Sequence, residues 1–582
     1  MTREELKKEY QSLALRLGVG MTRSDKINVA IHSCLRQFME THNRVALYCN
    51  GYHTKMLMTD FVSDIRDIVC IVDNSGTGSN GGYKIVNDKE LEKYRINGVI
   101  ISSYKYREEI KESLKSNHAG IDILDIYDSL SAQGIDLPGE FYCAGPYYVY
   151  GKINQINNRL KNEQSDKETL LRELVKLFLL IKDFRMSAEL YDEICKLTDD
   201  QDDVVVYKQI KNLYYHQLLT IRYSSPDNVL LLCLDGMRRG DFLNGKLKKT
   251  YDYLEKNGRI YTNAYSYSTM TYESLVPSFS ENSNQKTRYY LRDDVDASNC
   301  RFYKRAIQQN RKIHIYGDGN KYISSDDAVY SGSPQTVTEK IWEFTLDLCE
   351  TGNGLFYLHE LYETHFSFPN PYTASKMVSS GTAMLFDFLP KNGGRLKTDY
   401  RAQLRDSINY IDDTLAPILS ILPCSFLLFA DHGNMLLDEE SKLYDIKRIQ
   451  LVASEEWIRI PWIMVSPHIE VGTDDSLLSL MDLNDAVISL LDKVPFHIDD
   501  RRSCIKIGRS AIYNPDFREL YRLMNCDYDG EAFEGFIFRN NTKLIVYSNG
   551  KIELYSTDTD ELLTDKYLTD ELFEGIRDQI TI

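Results

Sequence analysis

The chain has 582 residues, of which 43% are hydrophobic and 27% are charged. At about 150 residues per domain this length predicts three or four folding units, and the composition is typical of a globular protein rather than a disordered one. The net charge of −17 disfavours a nucleic-acid partner, because phosphate backbones are held by clustered Lys and Arg.

In residues 1–42, charged and apolar residues alternate at helical spacing, which predicts two helices. This segment lacks the uninterrupted apolar core of a signal peptide. No stretch reaches the roughly 20 apolar residues of a membrane helix, LVKLFLLI at 174–181 included. We therefore expect a cytoplasmic protein without a transmembrane segment, for which peripheral membrane contact stays open. The 11 cysteines are scattered without CxxC pairs, which favours reduced core thiols over a disulfide frame or a zinc site.

From residue 43 to 150, short β-rich runs alternate with helical stretches. VALYC, IVCIVD, VIISS and IDILDIY are predicted strands, and KELEKYRI and YREEIKESL are predicted helices. Such alternation is typical of a parallel sheet with crossover helices. The string GTGSNG at 76–81 follows the second strand rather than the first, so we interpret it as a flexible glycine-rich loop, with a bound nucleotide as the alternative.

This segment resembles the small Rossmann-like domain that precedes many enzymes of bacterial surface-sugar biosynthesis. The resemblance covers about 90 residues and is carried by VALYCNGYHTKMLM, by Asp73 at the end of the second strand, and by NGVIISSYKYREEI. It implies a biological context rather than a chemistry. Residues 151–225 then predict a helical linker domain, which ends in YSSPDN.

Two buried apolar runs each end in an acid and a glycine turn. NVLLLCLDG delivers Asp235, and LLFADHG delivers Asp431 and His432. Because ligands gather at the carboxyl ends of parallel strands, these side chains are expected to meet. Two carboxylates and an imidazole suit one divalent cation, Zn²⁺ or Mn²⁺, which would relieve their mutual repulsion. The alternative is that each aspartate caps the helix that follows it.

Two further segments complete the candidate constellation. YSYSTMTYESLVPSFS, at 265–280, is crowded with hydroxyl groups, which become nucleophiles when a metal coordinates them. LFYLHELYETHFSFPNPY, at 355–372, carries His359 and His365 after an apolar strand. Two histidines on one strand-end loop are better explained as phosphate or metal contacts than as structural residues.

The combined order resembles the alkaline phosphatase superfamily, and within it the sulfatase-like branch that contains phosphoethanolamine transferases and lipoteichoic acid synthases. It consists of LDGMR, a hydroxyl-rich segment before PS, LHELYETHF, and FADHG followed by RIPWIMVSP. The resemblance covers residues 226–505, and FRNNTKLIVYSNGKIELY within 506–582 resembles the hairpin that closes such domains. It implies an α/β fold with an alkaline phosphatase-like mixed sheet flanked by helices.

The resemblance also implies roles for individual residues. The ligands of the principal metal would be Asp235, Asp431, His432 and Thr271, and Thr271 would also be the nucleophile. Val276 adds one residue before Pro277, so Thr269 and Ser274 stay open as alternatives. The residues expected to bind phosphoryl oxygens or a second metal are His359 and His365.

A complete second metal site stays open, because the family's further histidine has no match in KLYDIKR, where Tyr444 and Asp445 stand. Sulfatase chemistry is disfavoured, because the required formylglycine derives from a cysteine and none lies between Cys233 and Cys300.

These features predict a metal-dependent phosphoryl-group transferase that modifies a bacterial surface-glycan precursor through a phospho-threonine. Its partners would be a phosphate-ester donor and a glycan or small-molecule acceptor; the sequence does not fix an oligomeric state. The alternatives are a phosphodiesterase or phosphatase, and a catalytically decayed scaffold.

Overall fold

The computed structural model describes residues 1–19, 23–51, 53–54, 57–58, 61–65, 68–74, 78–80, 82–104, 106–135, 145–162, 166–243, 247–282, 295–317, 323–324, 328–331, 336–360, 363–365, 368–373, 400–434, 453–499, 501–510 and 531–580. Tyr444 and Asp445 lie outside these ranges. The chain forms two compact units, a smaller one over Gly20–Val149 and a larger one that contains Met1–Val19 and most of the chain from Tyr150 onward. The predicted α/β class is confirmed in both.

The smaller unit is built on a six-stranded sheet in the order β3-β4-β2-β1-β5-β6, parallel except for β3. Its strands are β1 (Val45–Tyr48), β2 (Ile68–Val72), β3 (Gly78–Asn80), β4 (Tyr83–Val86), β5 (Gly98–Ile101) and β6 (Asp122–Asp125). Its helices are α2 (Arg23–Thr41), α3 (Arg107–Asn117) and α4 (Ile126–Ser131). The central strands are buried on both faces, as their apolar runs predict.

Two sequence expectations for this unit were wrong. KELEKYRI holds only a short 3-10 turn over Asp88–Glu90, capped by Asn87, because the hydrogen bonds that follow are local turns rather than a helical ladder. The described part of the glycine-rich string is not a loop, since Gly78–Asn80 pairs antiparallel with β4 as an edge strand. Gly82 supplies the left-handed backbone conformation, φ 81°, that the turn between them requires.

The larger unit includes the predicted helical segment, which forms α5 (Gly145–Asn162), α6 (Lys167–Leu180), α7 (Phe184–Thr198) and α8 (Gln201–Arg222). Helix α1 (Arg3–Leu17) packs into this group through Leu6 and Leu13. Residues 1–42 therefore form the two predicted helices, which divide between the units. Among the described residues, no helix has both the length and the apolar character that crossing a bilayer requires.

The core of the larger unit is an eight-stranded mixed sheet in the order β13-β11-β14-β7-β15-β16-β8-β17. Five neighbouring strands, from β13 to β15, run parallel, whereas β16 is antiparallel to both of its neighbours. The strands are β7 (Val229–Leu234), β8 (Arg259–Tyr261), β11 (Lys312–Gly317), β13 (Ala328–Ser331), β14 (Gly354–Glu360), β15 (Ser425–Phe429), β16 (Trp462–Val465) and β17 (Gly472–Asp474).

Helices flank this sheet and two short strand pairs accompany it. The helices are α9 (Arg239–Leu243), α10 (Lys248–Asn257), α11 (Thr271–Ser280), α12 (Arg301–Gln308), α13 (Val337–Leu348), α14 (Tyr400–Leu419), α15 (Glu455–Ile458) and α16 (Leu483–Asp492). The short strands are β9 (Ala264–Tyr265), β10 (Val295–Asp296), β12 (Ile323–Ser324) and β18 (Leu478–Ser479). The predicted closing hairpin is confirmed as part of an antiparallel sheet of β19 (Cys504–Arg509), β20 (Phe533–Phe538), β21 (Thr542–Tyr547) and β22 (Ile552–Ser556), followed by α17 (Lys566–Ile576).

A buried ion-pair network ties this C-terminal sheet to the rest of the larger unit. Lys543 Nζ lies 3.1 Å from Glu455 Oε1 and 2.9 Å from Asp560 Oδ1. The Asp560 carboxylate in turn accepts a hydrogen bond of 2.9 Å from the backbone N–H of Glu455, at the start of α15. All three side chains are buried, so each charge depends on the others for compensation.

Candidate active site

Three adjacent strands deliver the predicted acids and one histidine to the same edge of the sheet. Cys233 of β7 is in register with His359 of β14 on one side and with Phe429 of β15 on the other. Asp235 and Asp431 each stand two residues beyond a member of that row, so the strand repeat places them level with each other. His359, Asp235 and Asp431 are all fully buried.

The side chains at this edge are in contact. His359 Nε2 lies 2.9 Å from Asp235 Oδ2, and the N–H of Gly236 donates to Asp431 Oδ1 at 3.0 Å. His432 Nε2 lies 3.8 Å from Asp235 Oδ1 and 3.5 Å from Asp431 Oδ2. Among the described contacts of the two aspartates there is no backbone N–H of the helix that follows either one, so the structure does not favour the helix-cap alternative.

Thr271 also belongs to this cluster. It is the first residue of α11, and its Oγ1 lies 3.2 Å from Asp235 Oδ2 and 3.1 Å from His432 Nε2. The first N–H groups of any helix have no intrahelical acceptor, which makes this end of α11 favourable for a phosphoryl group. The Thr271 hydroxyl therefore lies between the side chains of the cluster and the N-terminus of α11, where a phosphoryl group could contact both.

The two alternative nucleophiles occupy other surroundings. Ser274 Oγ is bound to the main chain of Ser268, accepting from its N–H at 3.1 Å and donating to its carbonyl at 2.9 Å. Thr269 is buried, and its Oγ1 has no hydrogen-bond partner among the described residues. Of the three hydroxyls, that of Thr271 is the one whose described contacts include Asp235 and His432.

His365 lies on the loop that follows β14 and is partly exposed. Its neighbour Thr364 donates from Oγ1 to the carbonyl oxygen of Asp235 at 2.7 Å, and Phe368 N–H donates to the His365 carbonyl at 2.7 Å. The charge of His365 acts on Asp235. The two predicted histidines thus differ, since His359 is inside the cluster and His365 stands on its more open side.

Two contacts orient the histidine rings, and the sequence analysis predicted neither of them. His432 Nδ1 donates to the carbonyl of Gly433 at 2.6 Å, which leaves the Nε2 lone pair for the cluster. Tyr357 lies two positions before His359 on the same strand, and its hydroxyl is 3.2 Å from His359 Nδ1. The spacing of two residues in FYLH was the available signal, because it places both side chains on one face.

Two glycines allow the turns to approach each other. A Cβ on Gly433 would lie 2.0 Å from the carbonyl oxygen of Glu456, and a Cβ on Gly236 would lie 2.5 Å from Asn434 Nδ2. Asn434 Nδ2 donates to the Gly236 carbonyl and joins the two turns directly. The residue after the DHG motif is therefore structural, a role that the motif itself did not indicate.

The charges in the cluster shift one another's pKa values. Burial acts to raise the pKa of Asp235, but His365, His359 and His432 outweigh it and hold the pKa below its ordinary value. Burial and the charge of Asp235 raise the pKa of Asp431. Burial disfavours the imidazolium of His432, yet Asp431 and Asp235 raise its pKa above the ordinary value. The site thus favours positive charge between its carboxylates.

The donor set fits a divalent cation. Asp235, His359 and Asp431 each offer one ligand atom, and these atoms all lie within 4.8 Å of one another. Asp431 Oδ2 is buried and has no hydrogen-bond donor among the described residues, although a carboxylate in that setting normally has one. Carboxylate oxygens and imidazole nitrogens are ligands that Zn²⁺ and Mn²⁺ accept.

Comparison with known proteins gives a family match in the N-terminal part of the chain and structural similarity over part of it. Residues 41–124 match the family described as C2185-like, N-terminal. No curated protein matches the chain by sequence.

Three of the solved structures that match are enzymes of phosphate or sulfate esters and phosphonates. A phosphonate monoester hydrolase of Agrobacterium radiobacter is 11% identical, with a TM-score of 0.39, over 61% of this chain and 94% of that one. The C-terminal periplasmic domain of a phosphoethanolamine transferase from Campylobacter jejuni is 16% identical, with a TM-score of 0.35, over 46% and 90%. A 2-O GAG sulfatase is 10% identical, with a TM-score of 0.42, over 61% and 91%. At these identities and TM-scores, the function is inferred from the side chains of this chain.

Proposed function

We propose that the chain is a phosphoryl-group transferase that works through a covalent phospho-threonine at Thr271. The observation that carries this proposal is the position of one hydroxyl, since Thr271 Oγ1 lies 3.2 Å from Asp235 Oδ2 and 3.1 Å from His432 Nε2. A threonine hydroxyl is unreactive at its ordinary pKa and needs such neighbours to become a nucleophile. If the final acceptor is water, the same residues make the chain a phosphodiesterase or phosphatase.

In the first step, Thr271 Oγ1 attacks the phosphorus of a phosphate ester. The bond between Oγ1 and phosphorus forms while the bond from phosphorus to the leaving oxygen breaks, and the leaving oxygen takes a proton from solvent. Thr271 Oγ1 donates to Asp235 Oδ2, which orients the hydroxyl, and its proton leaves to solvent because the lowered pKa of Asp235 disfavours protonation of that carboxylate. His365, on the more open side of the cluster, neutralises charge on the phosphoryl oxygens, and His359 is the alternative for this role.

In the second step, an acceptor hydroxyl attacks the same phosphorus and releases its proton to solvent. The bond to Thr271 Oγ1 breaks, and the threonine oxygen takes up a proton from solvent. The acceptor keeps the phosphoryl group, so that the chain ends the cycle unchanged.

A divalent cation would be held by Asp235, Asp431, His432 and Thr271, with His359 as a further candidate ligand. Such a cation lowers the pKa of a coordinated hydroxyl and neutralises phosphoryl charge. Hydrogen bonds to the main chain orient two of these side chains. His432 Nδ1 donates to the Gly433 carbonyl, and Asp431 Oδ1 accepts from the Gly236 N–H.

The proposal is tested with p-nitrophenyl substrates and three hydroxyl variants. Purified chain is assayed with bis-p-nitrophenyl phosphate, p-nitrophenyl phosphate and p-nitrophenyl sulfate, which separate diesterase, phosphatase and sulfatase activity. Thr271→Ala is expected to lower turnover of the phosphate esters by about a thousandfold or more. Thr269→Ala and Ser274→Ala are the matched controls. Mass spectrometry of the peptide that contains Thr271, after acid quenching, is expected to find a phosphoryl adduct.

Wild-type turnover in Thr271→Ala would overturn the nucleophile assignment. Absence of a bound cation in purified protein that also fails to bind added Zn²⁺ or Mn²⁺ would favour the decayed scaffold instead.

We propose a hydroxyl of a bacterial surface-glycan precursor as the natural acceptor. The support for it is the resemblance of the N-terminal segment to domains of surface-sugar enzymes. The test mixes phosphorylated full-length enzyme with a lipid-free oligosaccharide. Transfer of the phosphoryl group to the oligosaccharide, rather than to water, would support a glycan acceptor. Exclusive release of inorganic phosphate or a phosphate monoester would make the chain a hydrolase.

A further inference from the structure

Two consecutive arginines after Asp235 have opposite surroundings. The guanidinium of Arg238 is buried and bound by Asp241, with Nε to Oδ2 at 2.6 Å and Nη2 to Oδ1 at 3.0 Å. Arg239 has no such partner, because its Nε is shielded from solvent and no described residue accepts a hydrogen bond from it. One arginine is thus structural, while the Nε of its neighbour is buried without an acceptor among the described residues.

Arg459 lies beside Arg239 and has the same deficiency. The N–H of Arg239 donates to the carbonyl of Arg459 at 3.2 Å, which brings the two residues together. Arg459 Nη2 donates to Asn263 Oδ1 at 3.2 Å, and the guanidinium lies 5.6 Å from the ring centre of Tyr265. Its Nε is also buried without an acceptor among the described residues.

The carboxylate nearest to this arginine pair is already engaged. Glu455 Oε2 is 3.9 Å from Arg459 Nη1, whereas its Oε1 is 3.1 Å from Lys543 Nζ. Three cations, Arg239, Arg459 and Lys543, therefore share the charges of Glu455 and Asp560. Burial and the charge of Arg459 lower the pKa of Arg239 to about 10, which still leaves it protonated at neutral pH.

The arginine pair lies at the same sheet edge as the candidate active site. Arg239 lies four residues after Asp235 in the chain. Arg459 lies shortly before β16, whose first residue pairs with Phe429 at the end of β15. The N–H of Gly433 donates to the Trp457 carbonyl at 2.7 Å, two residues before Arg459. The charges that act on Arg239 come from Arg459, Tyr265, Glu455 and Tyr251, none of which belongs to the Thr271 cluster.

We propose that Arg239 and Arg459 form a second anion subsite, which binds an oxyanion of the substrate other than the phosphoryl group that reacts. This inference rests on the proposed function for the identity of the ligand as part of a substrate. Guanidinium groups present planar forks of donors that match phosphate and carboxylate oxygens. The donor or acceptor of this enzyme would then carry two anionic groups, as a diphosphate or an acidic sugar phosphate does.

The test measures binding without turnover. Full-length chain is treated with a chelator and desalted, and inorganic phosphate and glucuronate are titrated by isothermal titration calorimetry. We expect one of these anions to bind, and the one that binds identifies a phosphate or a carboxylate subsite. Arg239→Gln and Arg459→Gln are each expected to weaken the Kd about tenfold or more, because each removes charge-assisted hydrogen bonds.

Arg577→Gln is the matched control, because Arg577 is an exposed arginine near the C-terminus that pairs only weakly with Glu574 at 3.3 Å. Arg239→Lys keeps the charge but lacks the planar fork of donors, so its Kd is expected to lie between those of wild type and Arg239→Gln. This variant keeps the test readable if the glutamine variant fails to fold. The subsite is overturned if neither anion binds wild type, or if the arginine variants bind as tightly as Arg577→Gln does. Because no substrate is turned over, a failed activity assay leaves this result readable.

Discussion

Gly433 is the position at which the chain leaves the candidate active site, and its lack of a side chain is required by a close backbone approach. The carbonyl oxygen of Glu456 would lie 2.0 Å from a Cβ at this position, and a carbonyl cannot rotate away as a side chain can. The Gly433 N–H also donates to the Trp457 carbonyl at 2.7 Å. His432 is therefore held by the segment that contains α15.

Gly433→Ala is expected to lower the free energy of unfolding by about 2 kcal/mol or more, since the overlap forces backbone shifts. It is also expected to weaken Zn²⁺ binding, because His432 is the preceding residue. Chemical denaturation and a zinc titration measure the two effects. Gly352→Ala is the control, because a Cβ there meets nothing within 4 Å. Equal stabilities of the two variants would contradict the argument.

Tyr357→Phe is expected to weaken metal affinity about tenfold, because second-sphere hydrogen bonds orient ligating histidines. The change removes the hydroxyl that lies 3.2 Å from His359 Nδ1 and keeps the ring. Tyr316→Phe is the matched control, since it removes a buried hydroxyl that instead donates to Asp347 at 2.6 Å. Competition with a chromogenic chelator measures the affinity. A similar loss in both variants would assign the effect to general packing.

The sequence could predict which side chains the structure brings together at this sheet edge, but not how they are oriented. An apolar strand that ends in Asp-Gly or Asp-His-Gly is visible in one dimension, because burial and turn formation are local properties. The bond between Asn434 and the Gly236 carbonyl depends on a neighbour far away in the chain. The contacts of Thr269, Thr271 and Ser274 could not be predicted either, since all three carry a hydroxyl group and only the fold separates their surroundings.

At the scale of elements, the loop that carries His365 is held by helix α5. Tyr150 donates from its hydroxyl to Glu363 Oε1 at 2.5 Å, and Val337 N–H donates to the same oxygen at 2.9 Å. Further along, Asn154 Nδ2 donates to the carbonyls of Asn370 at 3.1 Å and Thr373 at 2.9 Å. A helix outside the sheet thus fixes one side of the candidate active site.

Asn154→Ala is expected to lower kcat for phosphate-ester substrates about tenfold, since it releases two loop carbonyls and misplaces the histidine. The control is Asn162→Ala on the same helix, because Asn162 is exposed and bonds only to Asn158 of the same helix, at 2.9 Å. Both variants are assayed for kcat, KM and Tm. If Asn154→Ala lowered Tm but left kcat at the wild-type value, the loop would not depend on this anchor.

Long apolar or strongly periodic elements could be predicted, whereas short ones could not. The strands β7, β14 and β15 could be predicted because central parallel strands appear in the sequence as continuous apolar runs. KELEKYRI failed, because its alternation of charge and apolar residues is also compatible with a 3-10 turn followed by local turns. The strand at Gly78–Asn80 was missed, since glycine and asparagine have low strand propensity and only the pairing with β4 makes it one.

At the scale of the whole molecule, the two units differ in the titratable groups that they bury. The larger unit contains the buried network of Lys543, Glu455 and Asp560, in which the charges compensate one another. The smaller unit instead buries an uncharged His53 beneath its sheet edge, 3.4 Å from the Tyr127 hydroxyl. Burial lowers the pKa of His53 to about 4, so protonation opposes folding there.

The smaller unit is therefore expected to lose stability in acid. The unfolded state binds a proton near the ordinary pKa of 6.5 and the folded state only near 4, so stability is present above the first value and falls as the pH drops towards the second. The loss amounts to about 3 kcal/mol at the lower end. Hydrogen exchange of the Gly98–Ile101 amides, corrected for the intrinsic rate, measures it. His53→Gln should flatten this pH dependence, and an unchanged slope would reject the assignment.

The order of strands in the larger sheet has a consequence for how the protein is made. Gly236 and Asp431, which share a hydrogen bond, are 195 positions apart. β7 stays unpaired along one edge until β15 emerges from the ribosome and docks, and an exposed apolar edge invites pairing with other chains. The candidate active site therefore forms only after β15 has been synthesised, and any product truncated before that strand would lack the site and be prone to aggregate.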